Sequence, residues 1–74
     1  MLSIKSKFGK AFRERRDELK MSRDDLARML GVSAKTIQSW EIGRTFPQDL
    51  SLFPAIERHL QVSITELIRK AMAA

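Results

Sequence analysis

Between Leu30 and Ala34 the chain reads Gly-Val-Ser, and this short turn between two amphipathic runs constrains the fold more than any other feature. Before the turn, Ser22 is placed to cap a helix by accepting a free backbone N–H, and Asp24 and Asp25 complement the positive helix end. Leu26, Met29 and Leu30 are the apolar residues of that helix, and Gly31 ends it because glycine takes positive φ without strain. After the turn, Ser33 caps a further helix whose inner stripe is Ile37 and Trp40, with Gly43 as its stop signal. So tight a connection sets two helices at a steep angle and lets the second protrude. Ala27 is small where the two helices approach, while Leu26, Leu30 and Val32 close a small core behind the turn.

The flanking sequence has room for three more helices. Phe8, Ala11, Phe12, Arg15/Arg16 and Leu19 recur at helical steps and predict a first helix over residues 6–19, with Gly9 weakening its first turn. A loop over residues 44–49 carries Pro47. A fourth helix is expected over residues 52–60, with Pro54 in its first turn and Leu52, Phe53, Ile56 and Leu60 facing inward. A fifth begins at Ser63, where Ser63 and Glu66 form a capping box and Val62 and Leu67 a hydrophobic staple. Its apolar residues are Ile64, Leu67, Ile68 and Met72. No stretch reads as a strand, so the expected fold is all-α: one compact five-helix domain over residues 1–74.

Charge narrows the function. The net charge is +5, and residues 1–46 hold 11 basic and 6 acidic side chains against 3 of each from residue 47 onward. An excess confined to one part of a small fold points to a polyanionic partner. Without cysteine, thiolate metal sites are excluded, and with His59 as the one histidine a histidine-built zinc site would need carboxylates or a second chain. Residues 1–10 lack the continuous apolar stretch of a secretory signal, and nothing approaches a membrane span, so a cytoplasmic protein is expected. Asp24 and Asp25 are adjacent on a helix and point apart, and Glu41 has no second acid, nucleophile or metal ligand spaced to work with it. Neither set reads as catalytic, and no cofactor, metal or small-molecule ligand is expected.

The protruding helix, residues 33–42, carries the reading chemistry. Lys35 and Ser39 lie four apart on the face opposite Ile37 and Trp40. Its opening residues Ser33, Ala34 and Lys35 present free N–H groups and the positive dipole end to an anionic backbone. Lys35 can donate to guanine O6 and N7, and Ala34 can pack on a thymine methyl.

These residues resemble the Xre family, the lambda-repressor and Cro-like helix-turn-helix domains of bacteria and phages. The resemblance covers roughly residues 8–68 and rests on the block SRDDLARMLGVSAKTIQSWEIG, the proline-containing loop after it, and the ending LQVSITELI, similar to the family's "LGVSxDEL". It implies sequence-specific binding of double-stranded DNA by a transcriptional regulator such as a repressor, as a homodimer on a palindromic operator, with helix 33–42 in the major groove. It implies base reading by Ala34, Lys35 and Ser39, with Gln38 and Thr36 flanking. Arg44 matches a backbone-touching basic residue, and Arg23 stands where the family usually has a glutamine that contacts phosphate and braces the recognition helix. Arg16 and Glu41 match an ion pair tying the first helix to the third. Trp40 fits a "WExG" variant, whereas Ile42 stands where the family usually has a polar residue. Lys10 and Arg13 on the first helix are further phosphate candidates, needed because the reading face carries a single charge. Two other uses of the chain are open: a protein-interaction module such as an antitoxin, bridging factor or anti-repressor, and a basic amphipathic helix lying on an anionic membrane through Phe8, Phe12 and Leu19.

Overall fold

The computed structural model describes residues 3–73. They form α1 (Ile4–Glu18), α2 (Arg23–Leu30), α3 (Ala34–Glu41), α4 (Leu52–Leu60) and α5 (Ile64–Ala73), with no strand among the described residues. α1 begins earlier than the apolar periodicity suggests, because the Ser3 hydroxyl accepts the Ser6 N–H at 3.2 Å and caps it. α2 opens on a reciprocal capping box. Ser22 Oγ accepts from the Asp25 N–H at 3.0 Å, and Asp25 Oδ2 accepts from the Ser22 N–H at 3.4 Å. Bonding to Ser22, aided by Arg28, holds the Asp25 carboxyl below the usual carboxylate range.

α1 to α4 all end the same way. One residue enters the left-handed region, at Lys20, Gly31, Gly43 and Gln61 (φ 59°, 73°, 80° and 56°). The N–H of the next residue then returns to the helix, Met21 to Arg16, Val32 to Ala27, Arg44 to Ser39 and Val62 to Glu57. Two of these four positions are glycine; at the other two a side chain is held where its Cβ is unfavourable. Lys20→Gly is therefore expected to stabilise the chain by about 0.5–1 kcal/mol. Urea denaturation checks this, and an unchanged or lower midpoint would contradict it.

All five helices share one core. Phe8, Phe12, Leu26, Ile37, Ile56, Leu60 and Leu67 are completely or almost completely buried. Burying each such side chain contributes about 1.5–3 kcal/mol. The Phe12 ring meets the Trp40 indole edge-on with centroids 5.9 Å apart. In the loop after α3, Pro47 is fully buried and the Phe46 ring packs against that of Phe8, tilted by 56° with centroids 4.7 Å apart. The loop is thus anchored, which fixes the backbone just after α3.

Several expectations change. In α2 the buried third residue is Ala27, and Met29 is 41% exposed, since Leu26, Ala27 and Leu30 face the core. In α5, Ala71 joins Leu67 in the core although it is not among the expected apolar residues, while Ile68 is half-buried against the core and Met72, at the margin of the stripe, is 68% exposed. The capping box at Ser63 is half made. Ser63 Oγ accepts the Glu66 N–H, but the Glu66 carboxylate pairs with Arg69 at 3.0 Å. The neighbouring Ile64 N–H is taken instead by Glu57 of α4 at 2.7 Å, which ties α5 to α4.

Gly9 departs furthest from its expected role as a weak point in α1. A Cβ there would meet the Trp40 carbonyl oxygen and come within 2.5 Å of the Glu41 carbonyl oxygen. Its missing side chain lets α1 lie directly on the backbone at the end of α3. A Cβ at Gly43 would likewise come within 2.7 Å of Ser6 Cα. The first helix therefore grips α3 at its C-terminal end and leaves the opposite face of α3 uncovered.

Candidate nucleic-acid interface

α3 is held from behind by a buried charge cluster. The Glu41 carboxylate, its side chain 1% exposed, accepts from Arg16 Nε at 2.7 Å and Arg16 Nη2 at 3.3 Å on one side and from Arg23 Nε at 2.8 Å on the other. Arg16 Nη1 also donates to the Met21 carbonyl at 2.7 Å, and the Glu41 bond pushes the Arg16 guanidinium pKa up. Three helices therefore meet at one carboxylate. Arg23 braces α3 by an ion pair, where the family resemblance implies a glutamine. No buried side-chain nitrogen or oxygen among the described residues lacks a partner.

The outer face of α3 follows from helix geometry. At about 100° per residue, Lys35, Gln38, Ser39 and Ile42 fall in one stripe, opposite buried Ile37 and Trp40. The Lys35 and Gln38 side chains are exposed and take part in no hydrogen bond among the described residues. Ser39 is half-buried, and its hydroxyl bonds that of Thr45 at 2.9 Å while its carbonyl accepts the Arg44 and Thr45 N–H groups. Ser33 Oγ caps α3 by accepting the Thr36 N–H at 3.1 Å, and the Ser33 and Thr36 hydroxyls bond each other at 2.9 Å. Ala34 is half-buried and packs against the core, so less of it faces outward than its helical position implies. Arg44 is exposed at the start of the anchored loop.

Two shallow clefts flank this stripe. One is lined by Lys35, Gln38, Ser39, Ile42, Arg44 and Thr45 among others, with no acidic residue in its wall. The other lies between the start of α2 and α3, where Arg23, Asp24, Ala34, Lys35 and Gln38 converge. Lys10 and Arg13 are exposed on α1, and neither bonds to α3; Arg13 lies 3.8 Å from Asp17 in an exposed pair. Arg13 sits beside the α3-facing edge of α1 that Gly9 and Arg16 define, with Lys10 further round. Thr45, which steadies Ser39 from six residues away, has no counterpart among the residues expected from sequence, and Ile42, expected only to be apolar where the family is polar, falls on the outward stripe by its spacing from Lys35 and Gln38.

No described helix is long and apolar enough to cross a membrane. Comparison with known proteins agrees with the geometry. The helix-turn-helix family profile matches residues 12–67. The antitoxin HigA-2 of Vibrio cholerae is 39% identical over 46 residues, covering 60% of this chain and 44% of that protein, so the chain spans less than half of this relative. The clp gene regulator ClgR of C. glutamicum superposes with a TM-score of 0.87 at 21% identity, covering 97% of this chain and 91% of that one, a likeness of fold. Hydroxypropylphosphonic acid epoxidase from S. wedmorenis matches at 30% identity and a TM-score of 0.76, over 85% of this chain and 33% of the enzyme. With the turn, the outward stripe and a profile match over most of its length, the chain belongs to the helix-turn-helix family, in its Xre and lambda-repressor-like, DNA-binding form.

Proposed function

We propose that this chain is a transcriptional regulator that reads a specific duplex sequence with α3 in the major groove. The observation that carries this is the outer stripe of α3: the Lys35 and Gln38 side chains are exposed, spend no side-chain donor on the described protein, and stand beside a cleft without acidic residues. Lys35 and Gln38 are the principal base readers, with Ser39 held in place by Thr45 and Ala34 offering a small apolar surface. Arg44, the Arg23 guanidinium at the mouth of the second cleft, and the free amides at the start of α3 take phosphates. Ser33 and Thr36, joined to each other, add hydroxyls beside those amides. Arg13 and Lys10 lie on α1 as longer-range positive charge. A two-fold homodimer on a palindrome would double a reading face that carries one charge per copy. Such a regulator works in the cytoplasm and needs no catalytic group.

Selection of bound duplexes from a random pool, followed by anisotropy titrations, tests the proposal. Arg44→Ala is expected to weaken binding to all sequences about equally and to reduce the salt slope by about one. Lys35→Ala should also flatten the preference at one base position by about 1–3 kcal/mol. If both variants bind the selected site as the parent does, the docking face is wrong. Footprint length distinguishes one copy from two.

The likeness to the antitoxin HigA-2 favours one second reading, in which the fold serves a protein partner. A stable partner recovered by a chain that selects no duplex would support it. The part of the epoxidase that matches is about a third of that enzyme, so its activity does not carry over to this chain.

A further inference from the structure

Ile42 is 57% exposed at the C-cap of α3, among the largest apolar surfaces the fold leaves open. It is not a frayed end. The next residue, Gly43, is pinned against Ser6, and the Ile42 N–H bonds the Gln38 carbonyl at 3.0 Å. Its backbone is therefore held in place, and it falls in the same stripe as Lys35, seven residues earlier. The cleft it lines is otherwise polar or basic, with Lys35 and Arg44 on it and no carboxylate. An isolated apolar side chain in a cationic frame suits a ligand that is polyanionic overall and carries a small apolar group. Duplex DNA has one such group in the major groove, the C5 methyl of thymine.

We infer that Ile42 is a specificity-determining residue that reads a thymine C5 methyl at the end of the α3 footprint, beyond the base pairs reached by Lys35 and Gln38. The inference rests on the duplex-reading function proposed above. The methyl packs on the branched side chain and both leave water, so that step of the site distinguishes thymine from cytosine and uracil without a hydrogen bond. Position along the helix sets the order of readout, with Lys35 near the N-terminal end of α3 and Ile42 at its C-terminal end.

The test uses the duplex selected from a random pool by the 74-residue chain, with each thymine replaced singly by deoxyuridine, which removes the methyl alone. At one thymine per half-site the parent chain should bind the deoxyuridine duplex about fourfold more weakly, the worth of one buried methyl. Ile42→Ala should bind the thymine and deoxyuridine duplexes equally at that position and keep the parent's discrimination at the others. Ile42→Val, which keeps a branched apolar surface, should retain most of the preference. Exposed Ile42 contributes little to the core, so circular dichroism should give all three proteins the same melting temperature. If no single methyl matters, or Ile42→Ala still discriminates at the same thymine, the inference is overturned while duplex reading stands. If the pool yields no preferred sequence at all, the function proposed above fails, and the inference falls with it.

Discussion

Replacing Glu41 with alanine is expected to remove about 3–5 kcal/mol of folding stability, the usual consequence of leaving a buried charge without its partner. Arg16 is 6% exposed and directs two of its nitrogens at the Glu41 carboxylate. Losing Glu41 leaves it buried with only the Met21 carbonyl and the exposed Asp17 carboxylate, 3.3 Å from Nη1, as partners. Arg23 is different. Its side chain is 36% exposed and can swing outward when Glu41 is lost. The cost therefore falls mainly on Arg16. Native domains hold only about 5–15 kcal/mol in all, and one of 74 residues lies toward the low end. Glu41→Ala should thus be largely unfolded at physiological temperature, as urea denaturation followed by circular dichroism would show. The paired variant Arg16→Leu with Glu41→Leu should regain most of the loss, because a buried ion pair is often no more stabilising than apolar residues of similar volume. A melting temperature within a few degrees of the parent for Glu41→Ala alone would mean that the cluster does not hold α3 in place.

Gly9→Ala should lose about 2 kcal/mol, and the sign is the informative part. In an exposed helix interior, exchanging glycine for alanine gains about 1 kcal/mol from backbone entropy. At Gly9 the added Cβ would approach the Trp40 and Glu41 carbonyl oxygens, which are backbone atoms and cannot rotate aside. α1 must move away from α3, disturbing the Arg16–Glu41 bonds about two helical turns further on. Overpacking of this kind typically costs about 1–3 kcal/mol, which outweighs the gain in propensity. A larger residue, as in Gly9→Val, should lose more. A Gly9→Ala chain more stable than the parent in urea would show that the two helices separate easily, and that α1 does not set the pose of α3.

Both predictions concern how the reading helix is held, and they divide what was legible in sequence from what was not. The caps at Ser22 and Ser33, the stops at Gly31 and Gly43, and the inward Ile37 and Trp40 follow from local rules. Each depends on neighbours within a turn or two, through a side-chain cap, a positive φ or a 3.6-residue repeat. The family resemblance supplied the Arg16–Glu41 contact, whose partners lie 25 residues apart. Periodicity could not supply Arg15 Nε bonded to the Leu60 carbonyl at 2.8 Å, or Glu57 capping Ile64. Nor could it decide the burial of Met29 and Met72, because an apolar residue at the margin of a stripe looks the same whether or not another helix arrives to cover it.

The sequence by itself determined five helices, a tight turn between the second and third, and a positive charge excess in the first two-thirds of the chain. These are matters of local backbone preference and composition, fixed before any distant segments meet. Only the tertiary structure decided that Gly9 is a contact point, that Arg23 shares a carboxylate with Arg16, and that Ile42 stands uncovered beside Lys35 on the open face of α3. Each of those depends on which surfaces the packing of five helices brings together and which it leaves to solvent, and no window of neighbouring residues contains that information.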